Sequence, residues 1–464
     1  MKTFLLPKKI KLSAGVVNEA ALFEKKELQI GLAEQNLVRV STGAQLVLDF
    51  GKELCGGIRI LSSAAKDVPV RIRFGESLSE CCAELGGEEN ATNDHSLRDF
   101  TVALQDFSDM RFGQTGFRFV RLDFGGETTI KSILAESCIL RKPAQYRYEG
   151  EDALLKRIYE TAKRTVDLCA AGDYVWDGIK RDRLVWVGDM HPEMLALTTL
   201  YGRLPSIERS LDFIRKQTPP PLWMNNIPMY SMWWIIIVAD YMEYTVAEDF
   251  AKEQLDYLEQ LVLLMSDCVL EDGTLNYPFF FVDWPTHGQP DEPHGARAIN
   301  VIAVKKAIAL LRHFGRETAT AEDLLARLLK VEIAPRQSKQ VIALKFFALG
   351  LNDADKERLL EGGAHGLSTF MSYYILKAVA SFDKCAAIRM MKEYYGAMLS
   401  KGATSFWEDF DLDWMENSSR IDTLPREGEK DIHGDFGAFC YKGFRHSLCH
   451  GWSAGILRFM QEEL

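Results

Sequence analysis

The hydrophobic spacing of this chain changes near residue 150, and that change limits the fold more than any other feature. Before it, apolar and polar residues alternate in short runs broken by glycine: "AQLVLDFG" (44–51), "GGIRILSS" (56–63), "VPVRIRFGES" (68–77) and "FRFVRLDFGG" (117–126). Period-two spacing puts successive side chains on opposite faces of a strand. In "VRIRF", Val70, Ile72 and Phe74 share one face and Arg71 and Arg73 the other, which predicts an antiparallel sheet with one solvated side. After residue 150 the apolar residues recur at helical intervals. In "DALLKRIYETAKRTVDLCA" (152–170), Leu154, Ile158, Ala162 and Val166 are spaced by four, and segments from "EQLDYLEQLVLLMSDCV" to "CAAIRMMKEYYGAML" continue the pattern.

The fold class predicted is mainly α with an N-terminal all-β domain. A β-sandwich is expected over residues 1–145 and a helical domain over 146–464. A chain of 464 residues is too long for one ordinary core, which favours the same division. The second part has room for about twelve helices of average length. Their recurrence every 20 to 30 residues or so suits stacked helical hairpins. A solenoid would show a self-similar repeat, and none is visible. Long aromatic loops interrupt the helices: "TPPPLWMNNIPMYSMWW", "NYPFFFVDWPTHGQPDEPHGARA" and the stretch from "TSFWEDFDLDW" to "HGDF". Loops of this kind on a rigid scaffold are where binding and catalysis concentrate.

Charge and cysteine usage narrow the function. A formal net charge of −11 leaves no electrostatic footprint for nucleic acid or an anionic membrane. The most apolar segment, "MWWIIIVADYM" (232–242), is too short to span a bilayer and carries Asp240, so it reads as a buried helix. The apolar run in "MKTFLLPKKIKL" is too short for a signal peptide and is broken by Pro7. Nine scattered cysteines without a C-x-x-C pair predict reduced thiols in a cytoplasmic protein. His287, His294, His433, His446 and His450 are not at metal-ligand spacing, and the glycines of "DFGGETT" form no phosphate loop. No metal and no cofactor are expected. The expected partner is a small neutral or cationic molecule. Oligomeric state is open, a homodimer through the strand-rich part being the arrangement considered.

One window concentrates charge: "DGIKRDRLVWVGD" (177–189), just before a helical pattern. It has two readings. In the first it is a solvated turn. Asp189 caps the helix, and Lys180, Arg181 and Arg183 pair with Asp177 and Asp182 at the surface. In the second it lines a pocket, where neighbouring charges and apolar walls set carboxyl pKa values apart. A glycosidase needs that split, because one carboxylic acid protonates the leaving oxygen while a carboxylate activates water. Trp176, Trp186, Trp223, Trp233, Trp234, Trp284, Trp407 and Trp414 fall in or beside the window and loops. They can pack on the C–H faces of a sugar, or serve equally as core. A second acidic cluster, "FWEDFDLDW" (406–414), is either a solvated loop or a second wall, with Glu408 facing Asp182 across one pocket.

At these residues the chain resembles glycoside hydrolase family 78, the α-L-rhamnosidases, which carry D-x-x-x-R-[ED]-R-x-x-W-x-G-D. Asp177, Arg181, Asp182, Arg183, Trp186, Gly188 and Asp189 match in register. "LVLDFGKELCGGIRI" and "GQTGFRFVRLDF" resemble the family's preceding β-domain, and "TSFWEDF" and "SLCHGWSAG" its closing segments. The resemblance implies an (α/α)6 six-hairpin barrel and inverting hydrolysis of terminal α-L-rhamnosyl or related deoxy-sugar residues of small glycosides. It implies Asp182 as general acid and Glu408 as general base. Asp177, Arg181, Trp186, Asp189 and His450 would bind the sugar, with Trp233, Trp284 and Trp407 as further aromatic walls. Many members carry Glu where this chain has Asp182, which makes Asp189 a rival acid. The further β-domains common in the family are not found, so a differently walled pocket is expected. Another six-hairpin enzyme acting on a uronic acid, through Lys180, Arg183 or Arg445, is the alternative. A non-catalytic sugar-binding protein is the other.

Overall fold

The computed structural model describes residues 3–64, 66–84, 98–439 and 441–464. The strands are β1 (Thr3–Leu5), β2 (Lys9–Val17), β3 (Val38–Ala64), β4 (Val68–Gly75), β5 (Asp99–Leu104), β6 (Ser108–Phe124) and β7 (Thr128–Cys138), with a short helix, α1 (Leu78–Cys82), after β4. They form one seven-stranded sheet in the order β1-β7-β3-β6-β4-β5, with β2 also paired to β3. All pairings are antiparallel.

The runs expected as two strands, 44–51 and 56–63, are one long strand. Bulges shift its register between Asp49 and Leu54 and again between Gly56 and Ile58. There β3 exchanges one partner: on one side its first half pairs mainly with β2 and its second half with β7, while β6 pairs along both halves on the other side. The glycines read as breaks are what allow this. Gly56 has φ +155°, and a Cβ there would sit 1.9 Å from the Glu136 carbonyl oxygen. The two arms of the sheet bury a shared core that includes Leu46, Leu48, Ile58, Ile60, Val70, Ile72, Ile130 and Ile133. The arginine face of β4, expected to be solvated, is partly covered. α1 packs on it. Buried Arg73 pairs with Glu84 at 2.7 Å and Asp123 at 2.8 Å.

The helices that follow are α2 (Ala153–Cys169), α3 (Met190–Tyr201), α4 (Pro205–Gln217), α5 (Pro228–Thr245), α6 (Glu248–Asp267), α7 (Glu292–His313), α8 (Ala319–Leu328), α9 (Lys339–Leu349), α10 (Asp353–Leu360), α11 (Ser372–Ala380), α12 (Lys384–Ser400) and α13 (Ile456–Glu463). Helices α3, α5, α7, α9, α11 and α13 each contact the next, and α13 returns to α3, closing a cycle of contacts. The sequence shows why these are inner helices. α3 is buried over its whole length, and α5 from Pro228 to Tyr241. A helix apolar all round must be enclosed. The outer helix α2 is amphipathic, burying Ile158, Ala162 and Val166. Its N-cap Asp152 accepts from the amides of Leu154 and Leu155.

Among the described residues no helix is long and apolar enough to cross a membrane. The described cysteines are free thiols, and Cys440 lies outside the described residues. Three parts of the chain converge at one end of the helices. The loop before α3 meets the loop before α13, where Gly178 bridges to His450 and the Gly451 amide donates to the Asp177 carbonyl at 2.7 Å. The sheet abuts both, with Gly116 so close to Ile179 that a Cβ would lie 2.8 Å from its side chain.

Candidate active site

The charged window folds into a tight turn whose base is buried and whose tip, Asp182–Leu184, reaches the surface. The Leu184 amide donates to Asp177 Oδ1 at 2.9 Å, and the Asp177 amide to the Leu184 carbonyl at 3.2 Å. Between them Asp182 and Arg183 both take left-handed backbone, φ 53° and 51°. Such geometry costs roughly 1–2 kcal/mol per non-glycine residue and concentrates at functional sites. Arg183 anchors the turn by donating to the Gln114 carbonyl of β6 at 3.1 Å and lying 5.7 Å above the Trp176 ring.

Arg181 is the centre of the arrangement. Its Nη1 donates to Asp182 Oδ2 at 2.8 Å, its Nη2 donates to Glu408 Oε1, and its Nε donates to the Arg445 carbonyl at 3.1 Å. One guanidinium therefore joins carboxyls from two segments 227 residues apart. Glu408 is held in place by neighbouring segments of the chain. Its amide donates to the Ser447 carbonyl at 2.9 Å, and the Ser447 amide donates to its Oε2 at 3.0 Å. Its carbonyl accepts from the Trp452 indole at 2.9 Å and from the Thr369 hydroxyl. Of the later acids in "FWEDFDLDW", Asp411 caps a 3-10 turn at Leu412–Met415 and Asp413 is exposed.

Asp189 does not cap α3. Its side chain makes no bond to the first turn and instead accepts from the Tyr230 hydroxyl of α5 at 2.9 Å. Gly188 makes that approach feasible, since a Cβ there would sit 2.3 Å from the Tyr230 ring. His450 Nε2 lies 3.5 Å from Glu408 Oε1 and 3.9 Å from an oxygen each of Asp177 and Asp189. The structure thus brings together Asp177, Arg181, Asp182, Asp189, Glu408 and His450. The surface ion-pair reading fails for this window. Lys180 is sealed in the interior against Glu80 at 2.9 Å and donates to the His446 carbonyl at 2.8 Å, which removes it as a ligand for a substrate carboxylate.

The tryptophans divide. Trp186 and Trp284 keep partly exposed rings, the first edge-on to Tyr230, the second stacked on Phe439 at 5.6 Å. Trp233 and Trp407 are packed inside, Trp233 against His191 and Tyr374 and Trp407 against Phe410 and His446. The sequence reading missed Glu193, Ser447 and Trp452. Glu193 is buried on α3 four residues after Asp189, with no hydrogen-bond partner at Oε1 among the described residues. That four-residue spacing, which puts both acids on one helix face, was the available signal.

Burial governs the electrostatics. It raises Asp189 to about 8, with Glu408 and Asp182 adding to the shift and the Tyr230 bond opposing it. It raises Asp177 well above the carboxylate range, with Asp189 and Asp182 reinforcing it, and Glu193 likewise. Glu408 is also raised by burial, against the pull of Arg181. Burial holds His450 well below its usual value, and Arg181 lowers it further. Around one fixed cation the site therefore holds Asp177 and Asp189, which burial keeps protonated, beside Glu408, whose charge Arg181 stabilises against burial. Such a set can donate a proton on one side of a bond and activate water on the other.

No family model and no curated protein sequence matches the chain. Solved structures do. A rhamnosidase from Klebsiella oxytoca with rhamnose bound superposes with TM-score 0.73 at 18% identity, over 100% of this chain and 96% of that one. A family GH78 rhamnosidase of Bacillus sp. GL1 gives 0.70 at 19%, over 96% of this chain and 48% of its own. An α-L-rhamnosidase from Aspergillus terreus gives 0.69 at 15%, over 91% and 53%. The chain spans nearly all of the first and about half of the other two. At these identities the likeness is one of fold, and the chain has the fold of the α-L-rhamnosidases of glycoside hydrolase family 78.

Proposed function

We propose that this chain is a glycoside hydrolase that releases terminal α-L-rhamnosyl, or closely related deoxy-sugar, residues from small glycosides with inversion. The proposed framework is an (α/α)6 six-hairpin barrel over residues 146–464 behind a β-domain over 1–145, and the closed cycle of inner helices supports it. The observation that carries the function is the Arg181 bridge between Asp182 and Glu408. A guanidinium bonded to both carboxyls fixes them relative to one another on a single cation. Inverting glycosidases keep their two carboxyls about 6.5–9.5 Å apart to admit a water.

Asp182 is the proposed general acid. Its side chain is 19% exposed, against 3% for Glu408, which suits a group that must meet a departing aglycone at the mouth. Glu408 is the proposed base, oriented by Arg181 and the Ser447 amide. Asp177, Asp189 and His450 would bind sugar hydroxyls. One observation favours a second assignment of the acid: Asp189, at about 8, holds its proton at neutral pH.

Hydrolysis of an aryl α-L-rhamnoside, with the product anomer followed by NMR, tests the reading. Inversion is expected, with kcat lost in Glu408→Gln. Loss in Asp182→Asn identifies Asp182 as the acid if aryl substrates with good leaving groups are the least affected, since they need least protonation. The same leaving-group dependence in Asp189→Asn would transfer the role. No turnover of any aryl α-L-glycoside refutes the function.

A further inference from the structure

We propose that Glu76, in the strand-rich part of the chain, is a positioning residue for Glu408: it holds the Ser447–Leu448 backbone, and through it the carboxyl of the proposed base. The inference rests on the glycosidase reading for its kinetic consequence but not for its structural one. Glu76 stands between β4 and α1 and is fully buried. Its Oε2 accepts from the Leu448 amide at 2.6 Å and its Oε1 from the Ser447 hydroxyl at 3.2 Å. The Ser447 amide in turn donates to Glu408 Oε2 at 3.0 Å. Two hydrogen bonds thus separate a residue of the sheet from the proposed base.

The same segment is fastened from its other side. Lys180, 2.9 Å from Glu80 Oε1 and 3.6 Å from Glu76 Oε2, donates to the carbonyls of Phe444 and His446. Arg181 donates to the carbonyl between them, at Arg445. Glu80 is held by Arg98 at 2.8 Å and accepts from the Glu76 amide at 2.7 Å. His433 completes the enclosure, bonded to the Ser77 hydroxyl and the His446 carbonyl. Charged groups this deep are costly unless they satisfy one another. Here the cluster fixes 444–448 against the sheet, and Arg181 and Glu408 both lean on that stretch.

The test is Glu76→Gln in the full chain. The amide group cannot accept from both Leu448 and Ser447, so the segment loosens. Hydrogen exchange at the Leu448 amide should rise. On an aryl α-L-rhamnoside kcat should fall roughly 10- to 100-fold, the scale of a small misplacement of a reacting group, with KM little changed. The acidic limb of the pH–rate profile should move up, because a carboxylate that loses an N–H donor is easier to protonate. Asp109→Asn, which breaks the Arg59–Asp109 pair elsewhere in the sheet, should leave kcat and that limb as they are. Glu76→Asp keeps the charge beside Lys180 but withdraws the oxygens by one methylene, and should reproduce the kcat deficit if Glu76→Gln fails to fold. Wild-type Leu448 exchange in these variants overturns the proposal whatever the activity. Raised exchange with wild-type kcat and pH limb overturns the positioning role. A wild-type protein that turns over no α-L-glycoside refutes the proposed function, and Leu448 exchange still decides the contact.

Discussion

Asp189→Asn should stabilise the protein progressively as pH rises, while lowering turnover. The native acid titrates at about 8 because it is buried, and an unfolded aspartate titrates at about 3.9. Between those values the native state binds a proton that the unfolded state does not. Stability therefore falls as pH rises through that window and levels once both states are ionised. One proton corresponds to about 1.4 kcal/mol per pH unit, so a window of about four units amounts to at most ~5.6 kcal/mol. Asparagine never ionises and escapes the loss. Its carbonyl oxygen still accepts from Tyr230, so the two proteins should be nearly equally stable near pH 4. Urea unfolding of both proteins from pH 4 to pH 9 gives the difference directly. It should climb with pH and flatten near 8. Parallel stability curves would show that Asp189 carries no raised pKa, and the electrostatic account of the site would fall with it.

Other outcomes follow from the same geometry. Arg181→Lys leaves a charge but no fork, so one of Asp182 and Glu408 loses its bond; kcat should drop by about a hundredfold or more, read by steady-state kinetics. Lys180→Met strips a buried partner from Glu80 and should cost about 3–5 kcal/mol in urea unfolding, less to the extent that Arg98 retains its bond to Glu80. Gly188→Ala drives a methyl into the Tyr230 ring. It should destabilise by roughly 1–3 kcal/mol and lower kcat by freeing Asp189 from its donor; unchanged kcat would separate Tyr230 from function.

What the sequence made legible was local. Period-two and helical spacing placed strands and helices well, because burial on one face is written in neighbouring residues. The window 177–189 stood out because its fixed positions are close together. The errors came where distant chain decided the outcome. Gly51, Gly56 and Gly57 look like ends of strands, yet a bulged strand needs them as much as a turn does. Arg73 looks solvated until α1 covers it. Asp189 looks like a cap because nothing in its own neighbourhood reveals Tyr230, 41 residues away. The tryptophans were ambiguous for the same reason: spacing alone does not say whether an indole is enclosed like Trp233 or left at an edge like Trp284. Glu76 and Glu80 carried no signal, since a buried ion cluster assembled from four separate segments has no motif.

The contact of α13 with α3 also sets the order in which the molecule can assemble. Lys180 meets a carbonyl 266 residues further along, and α3 stays uncovered on one flank until Ile456–Glu463 has emerged from the ribosome. Until then a nascent chain presents an unsealed seam of apolar helix. Such non-local closure is slow and exposes sticky surface. Aggregation of chains truncated before α13 is the expected consequence.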